Sequence, residues 1–124
     1  MVALLWVGLG GAMGALARFG VQRGAVLVLG EAFPWGTLAV NLLGSFAFGW
    51  LWHRVVVQSP DSEVLVFGVL AGFLGAFTTF ATFAFETSVF LRQEHYLAAG
   101  LNLAANNVLG IGLFLLGNWL ARRV

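Results

Sequence analysis

Long apolar runs divided by short polar breaks dominate this chain. The first run covers about Val2–Phe19, with Val21–Leu29 as an apolar extension. The second runs from about Trp35 to Val57, the third over about Val64–Leu91, and the fourth over about Tyr96–Leu120. A membrane-crossing helix needs about 20 mostly apolar residues, so each run predicts one transmembrane helix. The breaks are Gly30-Glu31-Ala32-Phe33-Pro34, Gln58-Ser59-Pro60-Asp61-Ser62-Glu63 and Arg92-Gln93-Glu94-His95. Ser59-Pro60-Asp61 combines residues that stop one helix and cap the next. Trp6, Trp35, Trp52, Tyr96 and Trp119 lie near the ends of runs, where aromatic residues anchor a membrane interface.

Inside these runs, polar residues recur at helical spacing. Thr37, Asn41 and Ser45 stand at i, i+4 and i+8 on the second run. Asn102 and Asn106 form an i, i+4 pair on the fourth, with Asn107 beside them. The third carries Thr78, Thr79, Thr82 and Glu86 among Phe73, Phe77, Phe80 and Phe83. Taken as one helix at 100° per residue, it sets the phenylalanines on one arc and Thr78, Thr82 and Glu86 opposite. Polar groups at membrane depth are expensive and mark a pathway or a binding site. A buried asparagine can also serve only to join helices. Three helices that each carry a polar stripe favour a shared polar lumen.

The third run is also too long. Its 28 residues would span about 42 Å at ~1.5 Å per residue, against a hydrocarbon core of about 30 Å. Gly72, Gly75 and the Thr78-Thr79 pair lie near its middle. Two structures fit: a straight helix whose glycines allow close packing, or a broken helix whose freed carbonyls line a cavity. Small residues at Gly10 and Gly14, Gly11 and Ala15, and Gly68, Gly72 and Ala76 predict close helix approach in either case.

Composition fixes the class. Of 124 residues, 60% are hydrophobic and 9% charged, with a mean hydropathy of +0.95. A soluble domain carries about 25% charged residues; this is an integral membrane protein. Met1–Ala17 holds no charged side chain, so no cleavable signal peptide is expected. With no lysine and six arginines against five acids, no basic patch for nucleic acid exists. The absence of cysteine excludes disulfides and thiolate chemistry. His53 and His95 stand at run ends without a second metal ligand at helical spacing, and no nucleophile–base pair or paired carboxylates are present. An enzyme finds no support.

Four spans place Arg54, Arg122 and Arg123 on one side, and Arg23, Arg92 and Arg18 on the other. Three against three leaves the positive-inside rule without a bias. The chain either inserts in both orientations, which permits an antiparallel homodimer, or takes its orientation from a partner.

Three motifs carry a resemblance over nearly the whole chain: Gly10–Phe19, Gly36–Phe46 and Gly72–Phe83. Together and in this order they resemble the Fluc (CrcB) family of fluoride-selective channels. The resemblance implies an all-α membrane protein of four transmembrane helices in a single domain, residues 1–124. It implies that the third helix is broken near its middle, and that two chains form an antiparallel dual-topology homodimer with two anion pores. It implies no enzyme activity, but a channel in the bacterial cell membrane that exports cytoplasmic fluoride by passive electrodiffusion. Phe80 and Phe83 then match pore-lining rings, and Asn41 the pore asparagine. Gly75 and Thr78 match positions whose backbone carbonyls hold a central structural sodium ion (Na+). Thr37, Thr82 and Glu86 fall along the anion track and its approach, and Arg18 near the pore mouth. Two departures stand out: Ala81 replaces a common serine, and Asn102 and Asn106 stand on a fourth helix where tyrosine and serine are usual.

Fluoride fits the residue chemistry. A small, tightly hydrated anion needs close donors in place of water, yet fixed cations would hold it too firmly for conduction. Amides, hydroxyls and electropositive ring edges meet both demands. The alternative is a proton-coupled small four-helix exporter. Such a protein needs a membrane-embedded carboxylate, and Glu86 is the only acid within a span.

Overall fold

A computed structural model describes all residues from Met1 to Val124 and is helical throughout. The first helix is Val2–Leu29. The second is Trp35–Trp52, continued by a wider π-helical turn at His53–Val57. The third segment starts as a π-helix over Val64–Leu74, passes through Gly75–Phe77 and resumes as Phe80–Arg92. The fourth comprises Tyr96–Ala104, a π-helical turn at Ala105–Leu109, and Gly110–Ala121. Four helical segments thus follow the four apolar runs. Val2–Leu29, Val64–Arg92 and Tyr96–Ala121 are each long and apolar enough to cross a membrane.

Local sequence sets the turns between them. The first helix ends where Gly30 adopts φ +80° and returns its amide to Val26 O, a left-handed conformation that glycine takes without steric penalty. Pro34, lacking an amide to leave unpaired, precedes the second helix. Between the second and third, the Ser62 hydroxyl accepts the Leu65 amide at 3.4 Å. The cap therefore falls one residue beyond the Ser59-Pro60-Asp61 cluster.

Glycines decide the packing. Gly10, Gly14 and Gly72 let the first helix meet the first half of the third almost backbone to backbone. A methyl group at Gly10 would collide with the Gly68 carbonyl, and one at Gly14 with the Phe73 carbonyl. The second and fourth helices approach in the same way, with Gly49 against Phe114 O and Gly117 against Phe46 O. In a membrane, where lipid is as apolar as leucine, such van der Waals contact drives association. One small apolar cluster, Val55, Leu70 and Leu74, ties the second helix to the third.

Only 21 of the 124 residues are buried, so most of the apolar surface is left for lipid or another chain. Leu4, Leu27, Leu97 and Leu115 are among the many exposed aliphatic side chains. Trp35, Trp52, Tyr96 and Trp119 are exposed at helix ends, as expected of interface anchors. The architecture is that of a multi-pass membrane protein.

The third segment changes conformation at Thr78 (φ −83°, ψ 159°) and Thr79 (φ −151°, ψ 113°), both extended. β-Branched residues accept this geometry readily. Thr79 Oγ1 then accepts the Thr82 amide at 3.3 Å, capping the second half as threonine does at helix N-termini. This corrects the single-helix projection of the sequence. Thr82 and Glu86 remain one turn apart on Phe80–Arg92, but Thr78 is out of their register. Its hydroxyl turns back to Leu74 O at 3.1 Å.

Candidate functional site

The extended dipeptide exposes backbone groups that a helix would satisfy internally, and Asn41 supplies their partners. The Thr79 amide donates to Asn41 Oδ1 at 2.8 Å, and Asn41 Nδ2 donates to Thr79 O at 3.2 Å. In an uninterrupted helix that amide would donate to Gly75 O four residues back. Gly44, three residues beyond Asn41 on the same helix, makes the approach possible: a methyl there would strike Thr78 Cγ2.

From Asn41 the polar chain continues into the fourth helix. Asn41 Nδ2 also donates to Asn106 Oδ1 at 2.8 Å. Asn106 Nδ2 donates to Asn102 O and Oδ1, each at 3.0 Å. Asn102, with no exposed surface, donates to Thr87 Oγ1 at 2.9 Å, and Thr87 returns its own hydroxyl to Phe83 O at 2.9 Å. The π-helical turn at Ala105–Leu109 contains Asn106 and Asn107. Their amides bond to carbonyls one turn back, Asn102 O and Leu103 O. Widened turns of this kind recur at functional sites because they re-aim side chains.

Two clefts flank this network. The inner one, about 300 Å³, lies at the extended dipeptide and includes Asn41, Ser45, Thr79, Phe80, Phe83 and Asn106 in its wall. Its lining residues include no acid or base. Phe80 and Phe83 meet edge to face, centroids 5.4 Å apart at 63°. Phe83 is buried, whereas Phe80 is 75% exposed and faces outward from this chain.

The outer cleft, about 730 Å³, opens between the loop at 30–34 and His95. Thr37 and Glu86 line it, with Gln22 from the first helix. Gln22 Nε2 donates to Thr37 Oγ1 at 3.3 Å, and Thr37 donates to Glu86 Oε1 at 2.7 Å. The second carboxylate oxygen of Glu86 is buried and unbonded within the chain.

The candidates therefore separate into two groups. Asn41, Asn106, Phe80, Phe83 and Thr78 meet at the inner cleft, and Thr37 and Glu86 at the outer. Asn102 supports the inner group from behind, and Thr82 is tied to Thr79 through their hydroxyls at 3.0 Å. Gly75 lies just before the dipeptide on an exposed position. Arg18 is half-buried on the first helix and lines neither cleft. Sequence reasoning left Thr79, Thr87 and Gln22 out of the site. Thr79 was readable as the second member of a β-branched pair. Thr87 and Gln22 gave no periodic signal, because their partners lie 15 residues away on other helices.

The model of the family described as "CrcB-like protein, Camphor Resistance (CrcB)" matches residues 5–118. The chain belongs to the CrcB family. Among curated CrcB relatives, a protein of Nitrosococcus oceani is 44% identical over 114 residues, 92% of this chain and 91% of the relative. One from Geobacter sulfurreducens is 39% identical over 119 residues, 96% and 93% of the two chains. One from Aeromonas salmonicida is 44% identical over 121 residues, 94% of each. All three are named "Fluoride-specific ion channel FluC".

Proposed function

We propose that this protein is a fluoride-selective channel in the bacterial cell membrane, not an enzyme, and that it lets cytoplasmic fluoride leave by passive electrodiffusion. The observation that carries the reading is the uncharged inner cleft, where amide, hydroxyl and ring-edge groups converge without an arginine or acid in the wall. A fluoride ion there can shed water against neutral donors and still depart. The names of the relatives support the same ion. So does the match over more than nine-tenths of each relative's length.

Two copies in antiparallel orientation complete the pore. The exposed Phe80 ring and the exposed Gly75 then have a partner surface, and two equivalent permeation paths result. Gly75 O and Thr78 O from both chains would hold a central sodium ion. The fit rests on the diversion of the Thr79 amide to Asn41, which leaves Gly75 O without its ordinary helical donor. A carbonyl oxygen freed in this way is a hard-cation ligand. Asn102 and Asn106 support the track that Thr82, Thr37 and Glu86 continue outward, and Arg18 adds long-range attraction for an anion.

The test is fluoride efflux from liposomes containing purified protein, with chloride as the control. Efflux no faster than from empty vesicles rejects the channel. A second reading, proton-coupled export, draws on one observation: Glu86 holds a buried, unbonded oxygen in the outer cleft. Flux that demands a pH gradient and stoichiometric proton exchange favours that reading instead.

A further inference from the structure

Counting donors within the inner cleft separates the residues that hold the protein together from those available to an anion. A primary amide has two N–H groups. Those of Asn41 are both engaged, by Thr79 O and Asn106 Oδ1. Those of Asn106 are both engaged too, by Asn102 O and Oδ1. The Thr79 hydroxyl donates to Thr82, and the Thr79 amide donates to Asn41. An anion entering the cleft finds these donors, and the Thr78 hydroxyl on Leu74 O, already turned toward other acceptors. Asn107, at the exposed rim, spends one N–H on Leu103 O and keeps the other.

Ser45 differs. Its side chain lines the same cleft and is half-buried, yet its hydroxyl takes part in none of the side-chain hydrogen bonds within the chain. A helical serine or threonine ordinarily returns its proton to a carbonyl of the preceding turn. Thr78, Thr87 and Ser88 do so here, to Leu74 O, Phe83 O and Phe85 O. Across from Ser45 stands Gly110, where even an added methyl would remain 3.7 Å from Ser45 Oγ. The hydroxyl thus borders the open cleft on one side and the Cβ-less Gly110 on the other, with two uncharged helices around it.

We propose that Ser45 is the hydroxyl donor that takes the place of water on the anion in the inner cleft, while Asn41 acts as a positioning residue that holds the Thr79 backbone. The inference rests on the fluoride-channel reading and assigns the ligand within it. Because Ser45 has no partner in the protein, removing its hydroxyl takes away nothing that folding needs. Removing the amide of Asn41 strips a buried backbone of its partners. The two residues must therefore separate when stability and flux are measured together.

The experiment compares wild type, Ser45→Ala and Ser45→Thr in two assays: fluoride efflux from liposomes, and thermal stability in detergent with size-exclusion profile. Ser45→Ala is expected to slow efflux about tenfold, the order set by loss of one hydrogen bond to a charged acceptor, with stability and profile unchanged. Ser45→Thr keeps a hydroxyl beside the space at Gly110 and is expected to retain most of the flux. Undiminished efflux in Ser45→Ala overturns the assignment. So does a loss of flux accompanied by equal loss of stability, which would make Ser45 structural. Wild-type efflux equal to that of empty vesicles rejects the channel reading itself, an outcome distinct from either.

Discussion

Replacing Asn41 with alanine tests whether one side chain holds the extended Thr78-Thr79 dipeptide. The substitution deletes three hydrogen bonds: from the Thr79 amide at 2.8 Å, to Thr79 O at 3.2 Å, and to Asn106 Oδ1 at 2.8 Å. Each is worth about 1 kcal/mol net, and a buried backbone donor left unpaired costs about 1–3 kcal/mol. Thr79 is buried, and the dipeptide lies in the interior of a membrane span. Partial relief comes if the Thr79 amide returns to Gly75 O by closing the helix, but Thr78 packed on Gly44 opposes that movement. The balance predicts a loss of about 2–4 kcal/mol for Asn41→Ala, read by reversible unfolding in mixed micelles. Asn41→Asp keeps an acceptor for the Thr79 amide and loses both donated bonds. It is expected to unfold between wild type and Asn41→Ala, with fluoride flux reduced by the new negative charge. Asn106→Ala completes a double-mutant cycle, for which a coupling of at least about 0.5 kcal/mol with Asn41→Ala is expected. Asn41→Ala within about 0.5 kcal/mol of wild type, inside the range of ordinary surface substitutions, would refute the clamp.

Four further substitutions or treatments probe the rest of the site. Phe80→Ile removes an exposed ring that meets Phe83 edge to face; liposome flux should fall while the size-exclusion profile stays that of wild type. Gly49→Ala drives a methyl into Phe114 O and should destabilise the protein by about 1–3 kcal/mol, the range for overpacking, seen as a lower unfolding midpoint. Glu86→Gln preserves an acceptor for the Thr37 hydroxyl and removes the only acid within a span. A channel should keep fluoride efflux independent of a pH gradient in this variant, whereas complete loss of transport would support the proton-coupled reading. Rigorous replacement of sodium by a larger organic cation during purification should impair flux, and unaltered flux would count against a dissociable site at Gly75 and Thr78.

Hydropathy alone made the helices legible, because a span must satisfy its backbone internally and present apolar side chains outward. The ends fall within a residue or two of the apolar runs, since Gly30, Pro34 and the 58–63 loop stop helices by backbone constraint. The polar stripes were legible as well: Asn41 and Asn106 repeat at helical spacing with Thr37 and Asn102. Their pairing was not. Nothing local specifies that Asn41 grips Thr79 instead of Thr78, or that Asn102 reaches Thr87. Those choices depend on how far Gly44, Gly49 and Gly117 let the second helix approach its neighbours. The single-helix projection of the third segment failed for a related reason. Periodicity assumes continuous helical dihedrals, and the extended pair at Thr78 and Thr79 resets the phase of everything after it.

In the proposed channel the same pair links the fold to the ion. A channel for a strongly hydrated anion needs rigid donors, because donors that collapse onto other acceptors no longer compensate dehydration. It also needs donors with nothing else to bind. The amide chain from Asn41 through Asn106 to Asn102 meets the first need: every link is held at 3.0 Å or less, which fixes the walls. It fails the second, because the amide protons of Asn41 and Asn106 are occupied and Asn102 is buried behind the cleft wall. Ser45 and the ring edges of Phe80 and Phe83 meet the second without carrying charge. On the proposed channel reading, division of labour of this kind accounts for a cleft wall without a cationic side chain. In the proposed channel, rigid amides would set the width, and weakly competing donors would leave the anion free to move on.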